Sequence, residues 1–262
     1  MADSATKLAF ITGASSGIGQ ALALRFHQAG YALALVARRS AELQAWADGC
    51  GICPDRYRIY GADVSIADSV IDAGRACLGQ QGLPDVVIAN AGISVGMDSA
   101  CRADIDVMAR VFALNNIGMA ATFHPFISAM AQRRSGVLVG IGSVNGIRGL
   151  PGHGAYCSSK AAVISYCESL RGELRGSAIK VVTICPGYID TPLTRGNRYA
   201  MPFLMPAPEF ADRAYRAIVA GTSYAVIPWQ MGLVAKLLRL LPNGLFDRVF
   251  AGRTRKPRAG DS

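Results

Sequence analysis

The sequence predicts a three-layer α/β fold, in which a doubly wound parallel sheet of seven strands lies between helices. Short β-branched runs alternate with helical patterns along the chain, and most of the strand runs are apolar throughout, as in strands that are buried on both faces. A glycine-rich turn joins the first strand to the first helix. Because no internal repeat or low-complexity linker interrupts the alternation, we expect one domain over residues 1–262.

The predicted elements follow each other in a strand–helix order that is typical of a Rossmann-like fold. The strand runs are Leu8–Thr12, Ala32–Ala37, Arg58–Ala62, Val86–Ala89, Val137–Ile141, Lys180–Ile184 and Ala225–Ile227. The helical patterns are Gly17–Ala29, Ala41–Ala47, Ala67–Gln80, Asp104–Arg133, Tyr156–Leu174 and Pro208–Val219.

Composition is that of a compact globular protein, with 51% apolar and 17% charged residues. No uncharged apolar run reaches the roughly 18 residues of a membrane span, and Met1 to Lys7 lack the apolar core of a signal peptide. The seven cysteines are odd in number and favour reduced thiols in a cytoplasm. Cys50 and Cys53 have the spacing of half a metal or redox site, but no second pair complements them, so we predict no metal.

The net charge is +9, and part of the excess lies in a basic C-terminal tail. Such a tail can bind nucleic acid or anionic lipid, or can serve solubility alone. Because the chain lacks a nucleic-acid recognition motif, we expect no nucleic-acid partner and a solvated tail. The basic residues of the tail are Arg248, Arg253, Arg255, Lys256 and Arg258.

The glycine-rich turn has the spacing G-x-x-x-G-x-G, not the more common G-x-G-x-x-G of dinucleotide sites. Its glycines permit a tight turn and close backbone approach, and the helix that follows directs N–H groups at a pyrophosphate. We therefore expect a dinucleotide at this turn. The residues predicted to hold it are Gly13, Ser15, Ser16, Gly17, Ile18 and Gly19.

The end of the second strand predicts which dinucleotide is bound. NAD sites place a carboxylate there for the ribose hydroxyls, whereas an arginine accommodates the 2′-phosphate of NADP. Here the strand ends Val36-Ala37-Arg38-Arg39, without an acid. We predict NADP(H), with NAD(H) as the weaker alternative, Arg38 on the phosphate and Arg39 as its helper, packed on the adenine.

Tyr156 and Lys160 are four residues apart in a helical pattern, so their side chains share one face. An ammonium within about 4–6 Å of a phenol lowers the pKa of the phenol by roughly 1–3 units. A tyrosine tuned in this way can exchange a proton near neutral pH, as the interconversion of a carbonyl and an alcohol requires. The pair therefore predicts an acid–base site.

Taken together, these motifs resemble the short-chain dehydrogenase/reductase family over nearly the full chain. Six signals occur in the family's order along the sequence. They are the Thr12–Gly19 turn, Asp63-Val64, Asn90-Ala91-Gly92, Asn115, the set Ser143/Tyr156/Lys160, and Pro186-Gly187 with Thr191.

The resemblance implies a role for each motif. Tyr156 would donate or accept the proton, Lys160 would lower its pKa and hold the nicotinamide ribose, and Ser143 would bind the substrate oxygen. Asn115 would bend its helix and hold a proton-relay water, with Asn116 as a rival. The other implied cofactor contacts are Asp63 and Val64 at the adenine, Asn90, Ala91, Gly92, Pro186, Gly187 and Ile189 along the cleft, and Thr191 at the carboxamide.

Substrate identity in this family is set by the segment after the sixth strand, here a lid over residues 188–207. Its apolar composition favours a hydrophobic ketone or alcohol over a sugar, although ordinary packing would give the same pattern. Val144, His153 and Tyr188 are predicted to join Ser143 and Tyr156 around the substrate. For His153 a purely structural hydrogen bond is the favoured alternative.

Residues 229–262 extend the chain beyond the shortest family members. Val234, Leu237, Leu238 and Leu241 form one stripe at helical spacing, and Pro242 with Gly244 breaks that helix. Packing over the substrate entrance or a neighbouring subunit is the favoured interpretation. Weak peripheral attachment to an anionic membrane is the alternative.

The leading functional hypothesis is an NADP(H)-dependent oxidoreductase that interconverts a ketone and a secondary alcohol in the cytoplasm. A catalytically idle NADP(H)-binding sensor or scaffold is the alternative, and the intact catalytic set argues against it. The resemblance also implies a homodimer or homotetramer, built through the helices that carry Asn115 and Tyr156.

Overall fold

The computed structural model describes residues 6–197, 199–252 and 255–258. Seven strands form one sheet in which every neighbouring pair is parallel, in the order β3-β2-β1-β4-β5-β6-β9. These strands are β1 (Leu8–Thr12), β2 (Ala32–Ala37), β3 (Tyr57–Gly61), β4 (Val86–Ala89), β5 (Gly136–Ile141), β6 (Ile179–Pro186) and β9 (Tyr224–Ile227). A separate parallel pair is made by β7 (Ile189–Asp190) and β8 (Met205–Pro206). The predicted seven-stranded, Rossmann-like sheet is confirmed.

Helices follow most of the strands. They are α1 (Gly17–Gln28), α2 (Ser40–Gly49), α3 (Ala67–Gln80), α4 (Arg102–Phe112), α5 (Gly118–Arg133), α6 (Gly154–Glu173), α7 (Pro192–Arg195), α8 (Ala207–Ala220), α9 (Trp229–Leu240) and α10 (Asn243–Phe250). The predicted helix bounds hold to within about two residues, except where a single long helix was expected over 104–133.

Two hydrophobic clusters separate the three layers. On one face of the sheet, Phe26 of α1 and Phe210 of α8 pack against the strands. On the other face, Phe123 and Phe126 of α5 and Val163 of α6 fill the equivalent space. Because both faces are covered, the central strands are mostly apolar; all five residues of β1, including Thr12, are buried.

The order of the strands reverses beside β1. The chain passes outward from β1 to β2 and β3, and then returns to place β4 on the other side of β1. In open α/β sheets ligands bind outside the carboxyl ends of the strands at such a switch point. The fold therefore places the residues after β1 and β4 at the mouth of a cleft.

The predicted helix over 104–133 is divided by a π-helical turn, Ala113–Ile117. The turn contains Asn115, whose amide is hydrogen-bonded to the backbone of Ile93 instead of pointing to solvent. A π turn inserts an extra residue into a helix and is frequent at functional sites. The helix therefore changes type at Asn115, the position where the resemblance implies a bend.

The prediction of a solvated basic tail is wrong for Lys256 and Arg258, whereas Arg248 and Arg255 are exposed as predicted. The Arg258 guanidinium pairs with the buried carboxylate of Asp104 at 2.8 Å, and Lys256 Nζ donates to Ser94 Oγ at 3.0 Å. Gly96 N donates to Pro257 O, so the backbone is also attached. Residues 255–258 thus form a strap across the segment after β4. Arg253 lies outside the described residues, as do positions 1–5.

The apolar stripe of α9 is also corrected. Met231, Gly232 and Ala235 are the buried residues of α9, whereas Leu237 of the predicted stripe is exposed. The predicted break is right at Pro242 and wrong at Gly244, which lies inside α10. Among the described residues, no helix is both long enough and apolar enough to cross a membrane.

Candidate active site

A cavity of about 470 Å³ opens at the carboxyl ends of the central strands. Its walls bring together most residues of the predicted cofactor site. The predicted residues that line it are Gly13, Ser15, Ser16, Gly17, Ile18, Arg38, Arg39, Asp63, Val64, Asn90, Ala91, Gly92, Ser143, Tyr156, Lys160, Pro186, Gly187, Ile189 and Thr191. Gly19, Asn115, Val144, His153 and Tyr188 lie outside this lining.

The glycines of the first turn are required by close backbone approach. Gly13 has φ +66°, and a Cβ there would lie 2.8 Å from Ala91 Cα. A Cβ on Gly19 would lie only 2.1 Å from Gly13 O, so any side chain would push the turn apart. Because α1 begins at Gly17, its free N–H groups face the cavity that Gly17 lines. The arrangement fits a bound pyrophosphate.

Asn90 fixes this turn from the end of β4. Its Nδ2 donates to Thr12 O at 2.9 Å and to Gly13 O at 3.2 Å. Thr12 Oγ1 accepts hydrogen bonds in return from the backbone N–H groups of Asn90 and Ala91. The two loops at the switch point are therefore joined by hydrogen bonds of the Asn90 and Thr12 side chains.

At the far end of the cavity, two arginines stand where β2 ends. Arg38 Nη1 lies 3.6 Å from Asp63 Oδ2, and Arg39 Nη1 lies 2.9 Å from Glu42 Oε2. Arg39 also donates to Ser15 Oγ at 3.4 Å, which links it to the glycine-rich turn. The hydroxyl of Ser65 and, less strongly, Arg38 lower the pKa of Asp63. This end of the cavity therefore holds two guanidinium groups, each paired with one carboxylate.

Tyr156 and Lys160 lie in the first turns of α6 and face the cavity together. Lys160 Nζ is 5.8 Å from the centroid of the Tyr156 ring and donates to Ile141 O at 2.8 Å. Burial lowers the pKa of Lys160 to about 8. Ser143, at the end of β5, accepts a hydrogen bond from Asn145 N and is buried.

The expected lowering of the Tyr156 pKa is wrong for the ligand-free chain. The phenol keeps part of its surface open to the cavity, yet desolvation by the surrounding protein raises its pKa to about 12. A hydrogen bond with Ser143 acts in the opposite direction but is the smaller effect. Burial acts on Lys160 as well, and its ammonium donates a hydrogen bond to the carbonyl of Ile141.

Asn115 is held by three hydrogen bonds. Its Oδ1 accepts from Ile93 N at 2.9 Å, and its Nδ2 donates to Ile93 O and to Ser159 Oγ. A Cβ on Gly92 would lie 3.4 Å from both Asn115 Oδ1 and Lys160 Nζ, so these two polar groups meet at Gly92. The rival Asn116 donates to Ser159 O. This geometry favours Asn115, because its oxygen and the Lys160 ammonium both lie beside Gly92, which lines the cavity.

The predicted substrate residues form a second group beside the cavity. His153 is buried, with Nδ1 3.2 Å from Pro151 O and Nε2 3.4 Å from the hydroxyl of Tyr199. Burial lowers the pKa of His153, so its ring is neutral at pH 7. Both ring nitrogens therefore have protein partners, which supports the structural alternative for His153. The Tyr199 ring also meets the ring of Tyr188 edge-on.

The lid segment is anchored at both ends. Tyr188 O accepts from Met205 N, and β7 pairs with β8, so the two ends of the lid are held together. Thr191 lies against the glycine-rich turn, since a Cβ on Gly17 would be 3.1 Å from Thr191 Cβ. Phe203 and Leu204 between these anchors are about half exposed.

Three participants were not predicted from the sequence. Ser159 bonds both Asn115 and the backbone of Tyr156, Tyr199 bonds His153, and the strap places Lys256 on Ser94. The i+3 position of Ser159 after Tyr156 on one helix was a usable signal for the first. The other two depend on loop paths that a sequence does not display.

Comparison with known proteins agrees with this architecture. Residues 7–201 match the family model of short chain dehydrogenases. The chain is 36% identical over 247 residues to an "uncharacterized oxidoreductase" of Myxococcus xanthus (strain DK1622), covering 94% of this chain and 97% of the relative. Its fold is similar to a short chain dehydrogenase/reductase from Burkholderia phymatum in complex with NAD, with a TM-score of 0.80, 24% identity and coverage of 90% and 94%. It is also similar to a short-chain dehydrogenase from Sphingobium yanoikuyae in complex with NADPH, with a TM-score of 0.76, 25% identity and coverage of 95% and 98%.

Proposed function

The chain belongs to the short-chain dehydrogenase/reductase family and is an NAD(P)-dependent oxidoreductase, and from that premise we propose that it interconverts an apolar ketone and a secondary alcohol with NADP(H). One observation supports the proposal above all. Tyr156, Lys160 and Ser143 come from two different elements and line the same cavity as the glycine-rich turn. A binding protein without chemistry would not need them there.

The residues of the chain divide the work of the reaction. A bound nicotinamide supplies or accepts the hydride. Tyr156 gives its proton to the carbonyl oxygen during reduction and takes it back during oxidation. Ser143 donates a hydrogen bond to the same oxygen and stabilises the charge that develops on it. Lys160 holds the ribose hydroxyls, and Asn115 Oδ1 positions a water that returns the proton to the site.

The preference for NADP(H) is supported by Arg38 and Arg39. Both line the cavity at the end of β2, where an NAD site would carry an acid. Their planar guanidinium groups suit the bidentate binding of a phosphate. Arg38 is the primary contact in this proposal, because its partner Asp63 is more distant than Glu42 is from Arg39.

An apolar substrate is supported by an apolar cluster that lies beside the cavity. Val144 and Tyr188 pack with Met231 and Ala235 of α9 into an apolar wall. Such a wall favours a hydrophobic carbonyl compound over a sugar. The proposal includes a homodimer or homotetramer and a cytoplasmic location, the latter supported by seven free cysteines.

The proposal is tested by Tyr156→Phe together with a panel of apolar ketones. Oxidation of NADPH should occur with at least one ketone in the wild-type chain. In Y156F turnover should fall by about 10³-fold or more, because the proton donor is lost, while NADPH binding stays within about twofold. Cys157→Ala, one residue further along α6, is the matched control. A Y156F variant with wild-type turnover would remove Tyr156 from the mechanism.

A further inference from the structure

Helix α9 is apolar on two opposite sides. Its inner side packs Met231 and Ala235 against Val144 and Tyr188. Its outer face carries Trp229, Leu233, Leu237 and Leu240, which are 62%, 53%, 65% and 80% exposed. The spacing of these four residues places them on one side of the helix. Contiguous apolar surface of this kind marks an interaction site.

The orientation of the outer face is fixed by packing at both ends of the helix. At the start of α9, Gly232 lies against Val226 of β9, since a Cβ there would be 3.2 Å from Val226 Cβ. At its end, Arg148 donates to Arg239 O and to Asn243 Oδ1 and stacks on the Phe246 ring at 4.2 Å. Arg148 therefore holds α10 against the end of α9. The outer face does not turn inward without breaking these contacts.

Charge beside the outer face identifies its partner. Lys236 and Arg239 are exposed on α9 at its border, and Arg248 is exposed on α10. The only acidic residue in the sequence from 229 to 252 is Asp247. A helix with tryptophan and leucine on one side and basic residues beside them is the type that lies in the plane of a membrane interface. A second copy on this face would instead bring Lys236 and Arg239 towards the same charges of the other copy.

We propose that the outer face of α9 docks the protein weakly and peripherally on a lipid surface that contains anionic lipids. Docking itself does not rest on the proposed oxidoreductase substrate. The functional consequence of docking does rest on the proposed substrate. Because the inner side of the same helix forms the apolar wall with Val144 and Tyr188, docking places that wall beside the acyl region from which an apolar ketone partitions.

Vesicle flotation of the full chain tests the proposal. The vesicles are phosphatidylcholine alone and phosphatidylcholine mixed with phosphatidylglycerol, at low and at physiological salt. The wild type should float with the mixed vesicles and should bind phosphatidylcholine at least tenfold less. Leu233→Glu/Leu237→Glu should reduce flotation by at least tenfold, because two apolar contacts are replaced by charges that anionic lipid repels. Val219→Glu, an exposed apolar position on α8, is the matched control and should float like the wild type.

A second variant protects the test against a folding defect. Lys236→Gln/Arg239→Gln leaves the leucines in place and should weaken binding to the mixed vesicles by on the order of tenfold, with no change on phosphatidylcholine. Thermal unfolding of all variants confirms that they fold. The docking surface would be refuted if the wild type floated with neither vesicle type, or if the wild type and L233E/L237E floated equally.

Light scattering without lipid decides the competing occupant. If L233E/L237E lowers the molar mass of the protein while vesicles have no effect, the outer face belongs to a second copy and the proposal fails. NADPH oxidation with a water-soluble ketone in lipid-free buffer should be equal in wild type and L233E/L237E. Absence of wild-type flotation with normal turnover would therefore overturn docking alone, and absent turnover in both proteins would overturn the function alone.

Discussion

The cofactor preference can be tested by removing the two cationic groups at the end of β2. The change is Arg38→Gln/Arg39→Gln, which keeps the length and polarity of the side chains but removes both charges. A hydrogen bond to a charged group contributes about 1.5–3 kcal/mol. The side chains of Arg38 and Arg39 are 66% and 55% exposed, so solvent screening reduces each contribution to about 1 kcal/mol. The double variant should therefore bind NADPH about 30-fold more weakly.

The same structure predicts that NADH binding changes little. NADH has no 2′-phosphate, and the glycine-rich turn that would hold its pyrophosphate is untouched by the substitutions. After substitution, Asp63 and Glu42 remain near the site without their arginine partners. These carboxylates repel a phosphate, which adds to the loss for NADPH alone.

Calorimetric titration of both cofactors into the wild type, R38Q/R39Q and a control provides the measurement. Arg75→Gln is the control, because Arg75 is equally exposed and pairs with Asp72 on α3. Wild-type protein should prefer NADPH, R75Q should match it, and R38Q/R39Q should lose that preference. An equal loss of affinity for both cofactors, or tighter NADH than NADPH binding in the wild type, would refute the reasoning.

Three further predictions concern stability. Gly19→Ala places a Cβ 2.1 Å from Gly13 O, so it should lower the free energy of unfolding by about 1–3 kcal/mol and weaken cofactor binding. Gly79→Ala in α3 has open space around it and should raise the free energy of unfolding by about 0.5–1 kcal/mol. Denaturant unfolding measures both variants, and equal effects would contradict the steric argument. The pKa of Lys160 is about 8 in the folded chain and near 10.4 in the unfolded chain, so the unfolded chain binds more protons between these pH values. The free energy of unfolding of the wild type should therefore rise by up to about 3 kcal/mol between pH 8 and 10 relative to that of Lys160→Met. Parallel pH profiles of the two proteins would show that Lys160 is not desolvated. Arg258→Gln should lower the Tm at neutral pH, and because Arg258 lowers the pKa of Asp104, this Tm difference should disappear as the pH falls through that lowered pKa. Arg102→Gln, which removes an exposed ion pair, is the control and should leave the Tm unchanged. A Tm difference that persists in acid would exclude the ion pair as its cause.

Features set by neighbours along the chain were predictable from the sequence. The strands β1, β2 and β4 have the predicted bounds, because an apolar run between turn residues specifies a strand that is buried on both faces. The shared cavity of Tyr156 and Lys160 follows from their spacing of one helical turn. Their pKa values did not follow, because desolvation depends on the atoms packed around a group and not on its sequence neighbours.

Contacts between distant parts of the chain were not predictable. Arg258 and Asp104 are 154 positions apart. No local sequence pattern distinguishes a tail residue that contacts the protein from one that is solvated. The buried Asp104, alone in the first turn of α4, was the one sequence hint, because a carboxylate at that position stabilises the helix dipole whether or not an arginine reaches it. An acidic residue at this position therefore does not by itself predict an ion pair with a distant arginine.

Helix α9 shows how such an ambiguity can be reduced. Its sequence offers two apolar sides, one through Val234 and Leu238 and another through Trp229, Leu233 and Leu237, and a count of apolar residues does not choose between them. The buried side of α9 contains Gly232 and Ala235, where the helix approaches β9 closely enough that a Cβ on Gly232 would contact Val226. Small residues permit close approach between packed elements, whereas large residues on a surface helix have no such requirement. The position of the small residues, rather than of the leucines, therefore indicates which side of this helix faces the sheet, and the large residues left outside form the face for which docking is proposed.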